Sequence, residues 1–447
     1  MSKCTNKGNI CTIFLLLLLS WGCDSGNKEA NRPPPGDYGR IEQGMVASFA
    51  DSLAALPVDS RETTVSHFLS LHPVTPVIES DSIFSLYWFG KATRVLVNGD
   101  LQSGWTSADT MNAVNCGENR FFHISYKVPP DARLDYQLRV DSIDMTDPRN
   151  PVVTPSGYGP HSQVAMPGFI PNPIRHPKSL KNKGKSQWVP FANPGGKFAS
   201  RLLRIYLPAG YENLKDVPSL YVTDGIEAAG FMDYPTVLDT MITARKIPPL
   251  IVIFIPPVDR TSENIGSKTH DFIDGLCDEL VPYIDRTFRT ARNPAVRAIT
   301  GISSGGHLAL MTMLNRPDVF LLAAGQSPTL STAVFEALEK FPETMKRFSD
   351  HQKSNQMQAP GSPTPETGKQ GKAGREDPGI YIDVGRFDLI NGGIAGETFL
   401  QSGIRFHEKL NKAGIRNRFL IVNDGHEWAS WRERLDQLLE FLFGMRQ

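Results

Sequence analysis

The chain has 447 residues, with 47 Lys and Arg against 47 Asp and Glu, and so a formal net charge of zero. That balance excludes nucleic acid as the main partner, because binding phosphates needs a surplus of basic residues on one face. At about 150 residues per domain the length suggests two or three domains. Hydrophobic residues at 40% and charged ones at 21% exclude wholesale disorder, and five Cys are too few for a disulfide scaffold of this size.

In chain order, Lys3 and Lys7 precede an apolar run, Ile10 to Leu19, that ends at Ser20-Trp21-Gly22-Cys23. The run is about ten residues, half of the roughly twenty needed to span a bilayer, and has the flanks of an export signal covering residues 1–22. Gly22-Cys23 resembles the bacterial lipoprotein signal, which implies lipidation of Cys23 and a membrane anchor facing the periplasm or the cell exterior. Simple secretion is the alternative, because Ser20 and Gly22 also suit cleavage by plain signal peptidase. Cys116 and Cys277 then remain, in different predicted domains, and are expected to be buried thiols.

Residues 23–62 read as a tether containing Pro33-Pro34-Pro35-Gly36, then one short helix on Ile41, Met45, Phe49 and Leu53 that stops at Pro57. Over 63–174 the period becomes two: Phe84, Leu86 and Trp88 alternate with polar residues, as do Leu134, Tyr136, Leu138 and Val140. Short strands with turn signals between them predict an all-β sandwich. Residues 175–190 are Lys-rich and read as a solvated linker. From 191 to 447, strand-like runs alternate with helical patterns, which predicts an α/β domain whose mostly parallel sheet is covered on both faces. Within it, 349–377 is nearly free of apolar residues and reads as a disordered insertion.

Gly301-Ile302-Ser303-Ser304-Gly305 is a GxSxG pentapeptide. A strand, Arg297–Thr300, enters it and a helical pattern from His307 leaves it, the strand–turn–helix of a nucleophile elbow. A Ser hydroxyl needs a base, and the base needs an orienting carboxylate. Three His follow, besides His307 beside the elbow. His351 falls in the polar insertion and His407 inside a predicted helix, whereas His426 lies on a short loop after a strand. His426 is therefore the expected base, and Asp388, just past strand Ile380–Val384, the expected acid. Asp383 lies within that strand and Asp424 is too close to His426 in sequence. The backbone N–H groups of Ser304 and Gly225 are the expected oxyanion donors. No HExxH, paired CxxC or phosphate-cradling Gly loop is present, so no metal or cofactor is expected; His67 and His72 read as surface or packed residues.

These residues resemble the esterase D and enterochelin-esterase group of α/β hydrolases. The likeness runs through Tyr221-Val222-Thr223-Asp224-Gly225, Glu279 to Ile284, Gly301 to Gly306, Arg316 to Phe320, and Gly425-His426-Glu427-Trp428 with Trp431-Arg432. Where that group often carries two glycines before the His, this chain has Asp424-Gly425. The alternating region, with Asp147-Pro148-Arg149-Asn150 and Met166-Pro167-Gly168, is similar to the Ig-like module of enterochelin esterases. The resemblance implies the α/β-hydrolase fold and a serine esterase acting on small-molecule or polysaccharide esters, acylated sugars or siderophore lactones among them. The alternatives are an acyltransferase of the same superfamily and a binding lipoprotein that has lost turnover.

Overall fold

The computed structural model describes residues 38–357 and 377–445, apart from 103, 176, 178, 179 and 181. The export signal, Cys23, the tether up to residue 37 and most of the polar stretch lie outside the described residues.

The first layer is a pair of antiparallel sheets. One contains Ile83–Gly90 and Asn119–Lys127, and the other contains Val95–Gly99, Arg133–Val140 and His161–Ala165. Alternation along Ile83–Gly90 sends Phe84 and Leu86 into the space between the sheets, against Val97, Ile124, Leu134 and Tyr136. Tyr87, on the opposite face, packs with Phe121 beneath two helices, Met45–Ala55 and Val58–Leu71. Two helices stand where one was expected. Pro57 caps the second helix rather than only ending the first, so residues 63–71 are helical and not the start of the sandwich.

The second part is an eight-stranded sheet made of β1 (Lys185–Phe191), β2 (Arg201–Leu207), β3 (Ser219–Thr223), β4 (Ile251–Ile255), β5 (Arg297–Ile302), β6 (Leu322–Gln326), β7 (Gly379–Gly385) and β8 (Arg416–Val422). Their spatial order is β1-β2-β4-β3-β5-β6-β7-β8; β2 is antiparallel to both neighbours, and the pairs from β4 to β8 are parallel. This is the α/β-hydrolase fold. The central strands are buried on both faces, as their unbroken apolar runs require. The expected linker is shortened, because Lys185–Phe191 is the edge strand β1. Helix Thr332–Met357 likewise continues through the first residues of the polar stretch, so 349–357 is helical. Cys116 and Cys277 are buried free thiols, and burial pushes the Cys277 thiol well up. No helix of the described residues is long and apolar enough to cross a membrane.

Candidate active site

Because β5 and its parallel neighbours point the same way, the loops leaving their carboxyl ends gather at one edge of the sheet. β5 runs directly into helix α1 (Ser303–Asn315), and Ser303 at the junction has φ of 50°, the left-handed region that a side chain rarely adopts. A Cβ on Gly301 would lie 2.1 Å from Thr223 Oγ1 and 2.4 Å from the Gly305 backbone, so the tight turn of β5 into α1 requires glycine. Ser303 is half-buried at this edge.

The loop after β7 carries Asp388, fully buried, and the loop after β8 carries His426, whose side chain is 13% exposed. His426 Nδ1 lies 2.9 Å from Asp388 Oδ1. A carboxylate facing Nδ1 fixes the proton there and leaves Nε2 as the acceptor. The imidazole is held between Phe399, at 4.5 Å between ring centroids, and Trp431, at 4.9 Å with the planes nearly perpendicular. Trp431 donates its indole N–H to Ser327 Oγ at 3.0 Å, and Thr329 N–H bonds the Ser303 carbonyl at 2.9 Å. The loop after β6 thus joins the elbow to the His426 cage. Phe399 and Trp431 were not foreseen as site residues; only the Trp431-Arg432 match pointed near them.

Ser304 lies in the first turn of α1, with its hydroxyl accepting from Asn264 Nδ2 at 3.2 Å. The Asn264 carbonyl accepts from His307 Nδ1 at 2.7 Å, and His307 Nε2 meets Ser331 Oγ at 3.0 Å. Donation from Nδ1 makes Nε2 the acceptor, and burial lowers the imidazole's affinity for a second proton, so His307 is neutral. Gly225 follows Asp224, a left-handed turn residue whose carboxylate receives the Arg260 guanidinium in two bonds of 2.8 Å. Glycine at 225 is demanded by β4, since a Cβ there would lie 2.2 Å from the Ile255 nitrogen.

His407 is excluded from this edge, since its Nδ1 lies 2.9 Å from Asn417 Oδ1 on β8 and its ring stacks on Phe419. Asp383 and Asp424 both receive Arg434. Among the described residues, Asp135, His161 and Glu427 offer donor atoms within 4.8 Å of one another. Both Asp135 oxygens already accept from the Arg133 guanidinium, at 2.8 and 3.0 Å, so a cation there would share its ligand with a positive charge. That group reads as part of a buried ion-pair network. His67 is exposed and His72 packs on Phe68.

A family model described as a putative esterase matches residues 199–442, more than half of the chain. The chain belongs to this esterase family. An endo-1,4-β-xylanase/feruloyl esterase of Xylanibacter ruminicola is 31% identical over 280 residues, which is 59% of this chain and 32% of that protein. An uncharacterised Bacillus subtilis protein, YbbA, is 24% identical over 139 residues, 28% of this chain and 55% of its own length. The chain thus spans between about a third and just over half of these relatives. The ferric enterobactin esterase of Salmonella typhimurium superposes with a TM-score of 0.58 at 17% identity, covering 82% of this chain and 95% of that one. The Shigella flexneri enterochelin esterase gives 0.56 at 16%, covering 82% and 94%. These likenesses extend across both the sandwich and the hydrolase sheet, and the esterase is of the enterochelin-esterase-like fold.

Proposed function

We propose that the protein is an exported serine esterase in which Ser303, His426 and Asp388 form the catalytic triad. The observation that carries this reading is the 2.9 Å pairing of His426 Nδ1 with Asp388, on loops at the same sheet edge as the Ser303 elbow. Ser303 Oγ attacks the ester carbonyl while His426 Nε2 takes its proton, and Asp388 stabilises the resulting imidazolium. The Ser304 and Gly225 N–H groups receive the developing oxyanion. His426 then returns the proton to the leaving alcohol, and water releases the acyl group by the same steps in reverse.

The substrate is an ester outside the cytoplasm, with an acylated sugar preferred over a siderophore lactone. The 31% identical relative described as a xylanase/feruloyl esterase supports the first, and the fold of the enterobactin esterases supports the second. Cys23 carries the lipid that anchors the chain. Hydrolysis of p-nitrophenyl acetate by the wild type and by Ser303→Ala tests the triad: the variant is expected to be inactive, and unchanged turnover would overturn it. A panel of feruloylated and acetylated xylan fragments against a trilactone siderophore tests the substrate. Fractionation of Cys23→Ala tests the anchor.

A further inference from the structure

Both loops that present the proposed base and acid leave the hydrolase sheet and touch the sandwich. Phe387, immediately before Asp388, is buried in the sandwich's own core among Phe84, Val97, Ile124 and Leu134. Gly425, immediately before His426, lies against the buried Asp100 of the sandwich: a Cβ added there would sit 2.1 Å from the carboxyl carbon and 2.6 Å from the Asp100 Cβ. Asp100 is fixed in turn, since its two oxygens accept from the Asp135 backbone N–H at 2.8 Å and the Trp105 indole at 3.0 Å. Arg133 extends the seam. Its backbone N–H bonds the Asn423 carbonyl at 3.0 Å, and its guanidinium reaches Ser430 Oγ at 3.1 Å. Asn423 also receives Arg386, from the acid's loop, at 2.6 Å.

We infer that the sandwich is the positioning half of the active site: Phe387 and the Gly425–Asp100 contact set where Asp388 and His426 stand relative to each other. This rests on the Ser303–His426–Asp388 reading. The residue before each member of the pair is clamped, so neither loop is free to shift the carboxylate or the imidazole without unseating a sandwich contact. Phe387, Gly425 and Asp100 are positioning residues and touch no reacting atom.

The full-length enzyme tests it through steady-state kinetics. Displacing reacting groups by about 1 Å costs on the order of a hundredfold in rate. Gly425→Ala is therefore expected to lower kcat about a hundredfold with KM changed less than twofold. Asp100→Gly, which removes all three clashing atoms from the other domain, is expected to restore most of that loss in the double variant. Because the double variant also loses sandwich bonds, Phe387→Leu provides a second arm, with Val65→Ala, in the separate cluster under the two helices, as its control. Phe387→Leu should cut kcat about tenfold at constant KM, while Val65→Ala lowers Tm and leaves kcat unchanged. Wild-type kcat in Gly425→Ala, or equal effects on kcat of Phe387→Leu and Val65→Ala, would overturn the inference. A fully active Ser303→Ala would instead remove the triad reading beneath it, so the two failures are distinguishable.

Discussion

Asp424, two residues before His426, sets up a test of stability against pH. Its carboxylate and that of Asp383 share one guanidinium, Arg434, in protein from which water is excluded. One negative charge is therefore in surplus. Burial, opposed by Arg434 and reinforced by Asp383, pushes the Asp424 carboxyl up to about 7 from an ordinary 3.8. An acid raised on folding keeps its proton in the folded chain at pH values where the unfolded chain has already lost it. Its contribution is thus fully favourable below the ordinary carboxylate range and declines as pH rises, levelling off above about 7. A rise of about three units corresponds to about 4 kcal/mol in all, of which about 2–3 kcal/mol is lost between pH 5 and pH 8. Asp424→Asn keeps the volume and an acceptor but cannot ionise. Only the ionised carboxylate feels the full attraction to Arg434, and that attraction is already contained in the raised value, so the informative quantity is the change of the difference with pH. Urea unfolding of both proteins from pH 5 to pH 8 measures it, and other titrating groups cancel in the comparison. Stability of the variant relative to wild type should rise by about 2–3 kcal/mol across that range. A difference that stays flat would refute the surplus-charge argument.

Asp388→Asn should keep the fold, because an amide has the shape of the carboxylate, but it no longer fixes the His426 tautomer. A loss of about ten-thousandfold in kcat is expected, as for other triads, and a loss under tenfold would remove Asp388 from its proposed role. His307→Ala leaves the Asn264 carbonyl without its 2.7 Å donor and loosens Asn264, whose side-chain amide braces the Ser304 hydroxyl. Chemical denaturation should show a cost of about 1–3 kcal/mol, with kcat reduced and KM little changed; wild-type stability would contradict the network described.

The sheet was legible because its signal is local. Strands β2 to β8 announce themselves as apolar runs, and a parallel sheet covered on both faces leaves no other pattern available. The elbow was legible for the same reason, since Gly301 and Ser303 are constrained by neighbours on β3 and within α1. What escaped notice had weak local patterning. β1 is an edge strand with Trp188 54% exposed and Lys185 in solvent, so its composition matches a linker. Helix Val58–Leu71 buries only Val65 and Phe68 in the core, too few for a clear stripe. The extension of the long helix to Met357 runs through a sequence with no apolar periodicity. The clamp of the sandwich on the His426 loop had no sequence signal, because contact partners hundreds of residues apart leave no periodicity.

That separation bears on how the protein reaches its working shape. Arg133 and Ser430 are 297 residues apart, yet the bond between them closes the same buried cluster that contains Asp135 and Asp100. During synthesis the sandwich leaves the ribosome long before the segment that completes it. Until then it exposes an unfinished seam of charged and apolar groups, and closing so long a loop is slow. The sandwich should therefore be a poor candidate for expression as an isolated fragment. The sandwich and the edge that carries Ser303 and His426 are therefore expected to be completed together, and a chain cut before Asn423 is expected to lose both.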